Sequence, residues 1–379
     1  MSESKPIGGR ICTVPFFVCL LFVLIGFYYL GQRFLHGIGA VSNLSDGYPW
    51  GIWIAYDVVV GTAFACGGYA MAILVYICNR GQYHPLVRPA LLASVFGYTL
   101  AGFSVFFDIG RYWQMYNVFL PWYINTNSVL LEVALCVAIY TMVLWIEFAP
   151  AILEKWGLHF LKTNLDKVLF VFIALGILLP TMHQSSLGSV MIIAGSKLSP
   201  LWWTGMLPLL YLISAVTMGY AAVIFEASFS SVGFSRPGET KILTKISAII
   251  PWLITAFLVI RFADLTMRGQ LGRAFSGDLL GNLFLLENLL LVIPCAMLAS
   301  PKPRQCPQAL FLASVLLMAS GGLYRFNCYI VGFNPGDGWQ YFPSAPEIFI
   351  TLGVVALEFL LYSLFVKKLP VLPTAHTHA

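Results

Sequence analysis

The sequence predicts an all-α integral membrane protein with about ten transmembrane helices, and three observations lead to that fold class. Of the 379 residues, 59% are hydrophobic and only 10% are charged, whereas a soluble domain carries about 25% charged residues. The apolar residues form long separate runs. A chain of this kind lacks the polar surface of a soluble enzyme, and its runs are too long for the strands of a membrane barrel.

Ten apolar runs are long enough to cross a bilayer as helices, which takes about 20 residues each. They cover residues 11–31, 52–78, 87–107, 128–150, 168–190, 206–229, 243–265, 278–300, 308–331 and 346–366. No signal-peptide cleavage site follows the first run, so we expect it to remain as a helix. The whole chain, residues 1–379, is expected to form one membrane domain.

The charge distribution predicts the orientation of these helices. An even number of spans places both termini on one side, and most of the 21 Lys and Arg residues lie in connections on that side. Basic residues are enriched in cytoplasmic loops. We therefore expect cytoplasmic termini in a bacterial inner membrane, with the other connections in the periplasm. The net charge of +5 follows from this topology, so we expect contact with lipid and no binding of nucleic acid.

Two similar segments indicate an internal repeat. Residues 127–132 read NSVLLE, and residues 282–287 read NLFLLE. The same offset relates the second span to the sixth and the third span to the seventh. We expect two four-helix bundles, over residues 52–190 and 206–331, flanked by the helices at 11–31 and 346–366. Parallel repeats of this kind also occur in membrane transporters.

Several ionisable residues lie inside the apolar runs, where a charge is costly and therefore indicates a function. Asp57, Glu132 and His183 have no partner of opposite charge on their own helix, and they lie toward the expected periplasmic side. Glu226 lies near the cytoplasmic end. Pro180 precedes His183 and is expected to kink its helix and open space for a polar ligand. This pattern indicates an off-centre polar pocket connected by protonatable groups to the cytoplasm, with Glu132, Glu226 and Asp57 as candidates for proton transfer.

Two pairs of opposite charge have a simpler interpretation. Asp108 and Arg111 are three residues apart, and so are Arg261 and Asp264. Residues at this spacing are neighbours on a helix surface. We predict that both pairs are structural ion pairs that hold helices together.

The histidines and cysteines limit the cofactors that the sequence predicts. A transmembrane b-type haem held by two histidines needs both at matching depth on facing helices. Of the six histidines, His183 alone lies within an apolar run. The eight cysteines are scattered and form no C-x-x-C pair, which argues against an iron–sulfur cluster or another metal site. We therefore expect no haem, no iron–sulfur cluster and no metal in this chain.

Three motifs carry a resemblance to a known family. They are residues 47–57, GYPWGIWIAYD; residues 79–98, NRGQYHPLVRPALLASVFGY; and residues 179–188, LPTMHQSSLG. Together they resemble the large membrane subunit of hydrogenase-2-type nickel–iron hydrogenases, within the NrfD/polysulfide-reductase family. The resemblance implies a core of two four-helix bundles. Members are often labelled b-type cytochromes, a label that the histidine positions oppose here.

The resemblance also implies a function and the residues that perform it. Such a subunit receives electrons from a periplasmic iron–sulfur protein and exchanges those electrons with quinone. Its further partners are the small and large subunits of a nickel–iron hydrogenase. It does not itself activate hydrogen. Polar residues important in such subunits would correspond to Tyr98, Glu132, His183 and Glu226. Tyr98, His183 and Asp57 are then the candidates for a pocket that binds menaquinone or ubiquinone, and Tyr98 rests on the resemblance alone.

Two other functions fit the same residues. A secondary ion or solute transporter also uses parallel helix repeats and intramembrane acids, and it would move its substrate in liposomes without a redox partner. A passive membrane anchor of an electron-transfer complex would tolerate neutral replacement of its buried acids.

Overall fold

The computed structural model describes residues 5–373, and within them ten helices are long and apolar enough to cross a membrane. They are α1 Val14–His36, α2 Trp53–Ile77, α3 Gly81–Asp108, α4 Val129–Lys155, α5 His159–Ile193, α6 Leu207–Gly233, α7 Thr240–Met267, α8 Leu279–Ala299, α9 Pro307–Val331 and α10 Ala345–Lys368. Over the same residues there is no strand, and Leu198 and Phe333 form an isolated antiparallel bridge. The predicted all-α membrane fold with ten helices is confirmed.

The helix ends differ from the predicted runs where polar residues continue a helix. The sequence predicts that the fifth helix begins at residue 168, but α5 begins at His159 and is 35 residues long. Residues 159–167 are mostly polar, so they add no apolar length, yet they contain no residue that breaks a helix. Hydropathy therefore finds the part of α5 that lies in lipid and misses its extension.

Ten crossings place both ends of the described chain on one side, which we call the terminus side. The connections on the other side, the loop side, pack against one another. The Tyr48 hydroxyl donates to the carbonyl of Ile330 at 2.8 Å, and the Trp50 indole donates to that of Tyr329 at 2.7 Å. Burial raises the pKa of Tyr48 to about 12, so its hydroxyl remains a donor at neutral pH. These bonds fix the start of α2 against the end of α9.

The backbone of α2 is irregular, and it is the most buried of the ten helices. Residues 53–60 and 73–77 form π-helical segments, and a turn at Ala65 and Cys66 interrupts the helix between them. Irregular backbone at membrane depth is tolerated where protein surrounds it, and α3, α6 and α9 all pack against α2. Single π-turns frequently lie at functional sites. The division into two repeated bundles, residues 52–190 and 206–331, stays a prediction.

The flanking helices α1 and α10 contact each other through two glycines. A Cβ atom on Gly353 would lie 3.0 Å from the Cα of Gly26 and 3.1 Å from the carbonyl oxygen of Phe22. Small residues at such crossings let two membrane helices approach closely.

Replacing Gly353 with leucine should therefore separate α1 from α10. We expect a loss of about 1–3 kcal/mol in the free energy of unfolding, as for other overpacked interiors, seen as a lower midpoint of thermal unfolding in detergent. Gly31 in α1 is the matched control, because a Cβ there meets no atom within 4 Å. Equal midpoints for Gly353→Leu and Gly31→Leu would show that this crossing does not need glycine.

Candidate functional site

A cavity of about 790 Å³ lies between α2, α3, α4 and α5 on the loop side. We call it the lateral cavity. Gly102 of α3 and Ala134 and Ala138 of α4 line it, and their small side chains leave the space open. Phe103 and Leu130, also in its lining, are more than half exposed on the surface of these apolar helices. The cavity is therefore open toward the surface that lipid covers.

A cluster of fully buried polar side chains lies about one helical turn deeper. Val58 and Leu187 line the cavity, and Thr62 and His183 lie four residues further toward the terminus side on the same helices, α2 and α5. A step of four residues corresponds to about 6 Å along a helix. Thr62, Cys66, Tyr98, His183 and Gln184 form this group, the central polar cluster, and all are 0% exposed.

Hydrogen bonds connect the central polar cluster. The Gln184 side-chain amide donates to the Thr62 hydroxyl at 3.2 Å and to the Tyr98 hydroxyl at 3.3 Å. The Thr62 hydroxyl itself donates to the carbonyl of Val58 at 2.6 Å. Its oxygen is therefore an acceptor for the Nε2 of His183, which lies 3.2 Å away.

These contacts assign the tautomer of His183. If Nε2 donates to Thr62, the neutral ring carries its proton on Nε2 and has a free lone pair on Nδ1. Nδ1 is buried and has no hydrogen-bond partner within the described residues. Buried polar atoms are seldom left unpaired. The arrangement therefore provides one unused proton acceptor close to the cavity.

The structure places Asp57 apart from this cluster. Its carboxylate faces α10, where the Thr351 hydroxyl lies 3.5 Å away, and its other oxygen, Oδ1, is buried without a partner. Thr62, in contrast, faces α5. Ser104 of α3 also interacts with the Asp57 carboxyl group. The sequence grouped Asp57 with His183 and Tyr98 in one pocket, and that grouping stays a prediction.

Glu132 contacts α5 through a single hydrogen bond. The Ser186 hydroxyl donates to its carboxylate at 2.7 Å. Ser186 lies three residues from His183 on α5, so Glu132 contacts a neighbour of the central polar cluster and is not part of the cluster itself. Glu132 itself is not in the lining of the lateral cavity, whereas its neighbours Leu130, Val133 and Ala134 are.

Glu226 lies near the terminus side of α6 and accepts a hydrogen bond from the Tyr362 hydroxyl of α10. A small polar cavity of about 10 Å³ adjoins it and is lined in part by Arg236 and Glu239. Such a cavity is about large enough for one water molecule. Burial raises the pKa of Glu239, although the charge of Arg236 opposes the shift. Glu239 is thus suited to hold a proton at this end.

The predicted partners of Arg261 and Asp264 are corrected by the structure. Arg261 pairs with Glu287 of α8 at 2.5 Å, and Asp264 pairs with Arg268 at 2.6 Å. Glu287 also accepts from the indole of Trp202 at 3.0 Å. Arg261 pairs with Glu287 because the Glu287 carboxylate is buried and needs a cation. Asp264 lies near the end of α7, where its carboxylate reaches Arg268 one turn further along the chain.

Asp108 and Arg111 do not form the predicted ion pair within the described residues. Asp108 lies near the guanidinium of Arg33 in α1 and near the backbone N–H of Gly51, and its Oδ1 is buried without a hydrogen-bond partner in the described residues. Arg33 is anchored by the carbonyl oxygens of residues 107 and 109, at 2.9 and 2.6 Å. Arg111 lies past the end of α3 and is exposed, so its separation from Asp108 follows from the end of the helix.

Arg325 is an ionisable residue within an apolar run to which the sequence assigned no role, and it is 0% exposed. It donates to the carbonyls of Val59 and Tyr211, each at 2.9 Å, and to the Ser214 hydroxyl at 3.1 Å. No carboxylate forms an ion pair with it in residues 5–373. Val59 lines the lateral cavity, so this positive charge lies just behind the cavity wall.

Comparisons with known proteins identify the family. The sequence profile of "Polysulphide reductase, NrfD" matches residues 40–334. The chain is 44% identical over 374 residues to the "Probable Ni/Fe-hydrogenase 2 b-type cytochrome subunit" of Escherichia coli (strain K12), covering 98% of this chain and 95% of that protein. The chain is a member of the NrfD/polysulfide-reductase family.

Two proteins of Nitratidesulfovibrio vulgaris match this NrfD/polysulfide-reductase member at lower identity. One is 33% identical over 367 residues, covering 93% of this chain and 92% of that protein. The other, the "Menaquinone reductase, integral membrane subunit", is 26% identical over 411 residues, covering 98% of this chain and 96% of that protein. The predicted family resemblance is confirmed.

The expectation that the chain carries no haem is wrong by this comparison, because the Escherichia coli relative is named a b-type cytochrome subunit. The described histidines nevertheless do not supply a facing pair, since His183 alone lies deep within a spanning helix. The others are His36, His84 and His159, at helix ends or starts, and His376 and His378, outside the described residues. These residues do not fit a haem with two histidine ligands, and no step proposed below involves one.

Metal ligands do not converge in the described part of the chain. Over residues 5–373, no three or more His, Cys, Asp or Glu side chains are grouped so that they could hold a metal ion. The expected absence of an iron–sulfur cluster stays a prediction.

Proposed function

We propose that this chain is the quinone-interacting membrane subunit of a respiratory hydrogenase complex in a bacterial inner membrane. The observation that carries this proposal is the lateral cavity, open toward lipid, with the unpaired Nδ1 of His183 about one turn below its wall. Its volume of about 790 Å³ falls within the range of ligand pockets, roughly 300–1,000 Å³. The names of two relatives, a hydrogenase subunit and a menaquinone reductase subunit, support the same function.

Electrons would pass between the quinone and a periplasmic iron–sulfur protein docked on the loop side, with the nickel–iron hydrogenase subunits beyond it. The termini would lie in the cytoplasm, in agreement with the distribution of Lys and Arg. Reduction of menaquinone or ubiquinone consumes two electrons and two protons at the two ring oxygens. The partner supplies the electrons, so this chain has to bind the ring and manage the protons.

His183 is suited to the proton step in both directions. Its free Nδ1 accepts a proton from the hydroxyl of a bound quinol, and once protonated it donates to a quinone carbonyl. The Tyr98 hydroxyl, which accepts from Gln184, retains its own proton for donation to the ring. Glu132 would exchange protons with this region through Ser186, and Glu226 would take up protons on the terminus side.

Filling the lateral cavity tests the proposal directly. Replacing Gly102 with phenylalanine adds a ring at the wall of the lateral cavity, at a position where a Cβ atom meets no other atom within 4 Å. We expect quinone binding to weaken at least tenfold, which corresponds to about 1.4 kcal/mol. Quinone-linked turnover of the purified complex should fall accordingly, while hydrogen-dependent reduction of an artificial dye persists. A quinone analogue should no longer raise the midpoint of thermal unfolding.

Gly31→Phe provides the matched control. Gly31 also has no atom within 4 Å of a Cβ position. It lines another apolar groove of about 800 Å³, between α1, α3 and α10, which meets the lateral cavity at Thr99, Phe103 and Phe106 but does not include Gly102. Gly31→Phe should keep normal turnover. Normal turnover in Gly102→Phe would reject the lateral cavity as the quinone site. A wild-type protein that quinone does not protect against heat would favour a passive anchor.

A further inference from the structure

The last helix, α10, carries a line of polar residues along a single face. Glu347, Thr351, Glu358 and Tyr362 follow one another at spacings of four, seven and four residues, which keeps them on one side of an α-helix. This helix lies outside residues 40–334, the part that matches the family profile. A polar face in an apolar membrane helix is costly unless it is buried and used.

The terminus-side end of this face meets water-sized space. Tyr362 donates its hydroxyl to Glu226 of α6. Glu226, Arg236 and Glu239 line the polar cavity of about 10 Å³ that adjoins this contact. A single water molecule in this cavity would connect Glu226 with Arg236 and Glu239 at the terminus side.

The middle of the face carries Glu358, which packs against α3. Its carboxylate oxygen lies 3.4 Å from the position of a Cβ atom on Gly97, so the absence of a side chain at Gly97 makes room for it. No hydrogen bond or ion pair to Glu358 occurs within residues 5–373. Tyr56 of α2 directly precedes Asp57 in the chain, and its hydroxyl lies within electrostatic range of both the Glu358 and the Asp57 carboxyl groups.

Toward the loop side, this polar face of α10 reaches Asp57 of α2. The Thr351 hydroxyl lies 3.5 Å from one carboxylate oxygen of Asp57, while the other oxygen is buried and has no partner. Asp57 is 6% exposed. The adjacent residue Val58 lines the lateral cavity. An unpaired carboxylate oxygen at the end of this line of polar residues indicates a group that exchanges a proton.

We propose that Glu358 and Tyr362 of α10 relay protons from Glu226 to Asp57, and so supply the quinone site from the terminus side. This inference rests on the proposed function. A proton on Glu226 moves to the Tyr362 oxygen while the hydroxyl proton of Tyr362 moves to Glu358. Glu358 then passes a proton to Asp57 through the hydroxyl of Tyr56. Only O–H bonds form and break, and the electrons come from the redox partner.

The test compares three variants in the purified complex: Glu358→Gln, Tyr362→Phe and Glu147→Gln. Glu147 is the matched control, an intramembrane carboxyl of α4 that has a buried oxygen without a partner and lies outside the polar face of α10. In Glu358→Gln and Tyr362→Phe we expect quinone-linked turnover to fall roughly tenfold or more. The ratio of rates in H₂O and D₂O should rise, because proton transfer becomes rate-limiting. Dye reduction and protection by a quinone analogue should remain normal, and Glu147→Gln should match the wild type in every measurement.

Three results would overturn the relay. They are normal turnover in both α10 variants, lowered turnover without a larger isotope effect, and an equal loss in Glu147→Gln. The second result would assign these residues a structural role. Failure of the proposed function would be seen separately from failure of the relay, because a quinone analogue would then not protect the wild-type protein against thermal unfolding.

Discussion

Replacing Glu287 with alanine is expected to cost about 3–5 kcal/mol in the free energy of unfolding, because it leaves a buried cation without its partner. The side chains of Arg261 and Glu287 are only 4% and 1% exposed, and they lie 2.5 Å apart. Asn327 and Trp202 also donate to Glu287, at 2.6 and 3.0 Å. One substitution therefore leaves three donors without their acceptor.

Thermal unfolding of the detergent-solubilised protein measures this effect, and Asp264→Ala is the matched control. Asp264 pairs with Arg268, and their side chains are 16% and 23% exposed, so we expect a loss of about 1 kcal/mol or less. The double variant Arg261→Leu with Glu287→Leu removes both charges and should regain much of the stability lost in Glu287→Ala. Equal stability of Glu287→Ala and Asp264→Ala would show that the buried pair is not strongly coupled.

The same pair shows where prediction from the sequence ended. Arg261 and Asp264 satisfy the spacing of a helical ion pair, but spacing specifies only which residues can meet on one helix. Whether Arg261 prefers Glu287 depends on which faces of α7 and α8 meet, and the sequence of either helix alone does not reveal this. The repeated NSVLLE and NLFLLE segments marked Glu132 and Glu287 as equivalent, yet one accepts from a serine and the other from an arginine.

The ten helices were predictable because the bilayer leaves few alternatives: a spanning segment must satisfy its backbone internally and needs a sufficient apolar length. Details of α2 were not predictable in this way. Its π-helical segment over residues 53–60 changes the angle between successive side chains. Asp57 contacts α10 and Thr62 contacts α5, and the sequence of α2 alone does not reveal which neighbouring helix each of its faces meets.

The central polar cluster was found in part. His183 was identified because a histidine in an apolar run is costly, and Tyr98 because of the resemblance. Thr62 and Cys66 carry no such signal, since both are common as packed residues in membrane helices. Gln184 directly follows His183 in the sequence and was a detectable signal, because an amide inside a membrane helix also needs partners.

Replacing His183 with alanine is expected to lower quinone-linked turnover by roughly 100- to 10,000-fold, the usual contribution of a proton-transfer group. The change removes the free Nδ1 acceptor and leaves the lining of the lateral cavity intact, so a quinone analogue should still protect the protein against heat. Turnover of the complex with hydrogen and quinone measures the effect, and dye reduction verifies that the partner subunits remain active.

His159→Ala and Gln184→Ala separate the role of His183 from its neighbourhood. His159 lies exposed at the other end of α5, so its replacement should leave turnover unchanged. Gln184→Ala removes the amide that joins Thr62 to Tyr98 but keeps the imidazole, and we expect a smaller loss with the same dependence on pH as the wild type. His183→Ala should instead lose the part of the pH profile that the imidazole contributes. If Gln184→Ala and His183→Ala lower turnover equally and neither changes that profile, the cluster positions the helices and His183 transfers no proton.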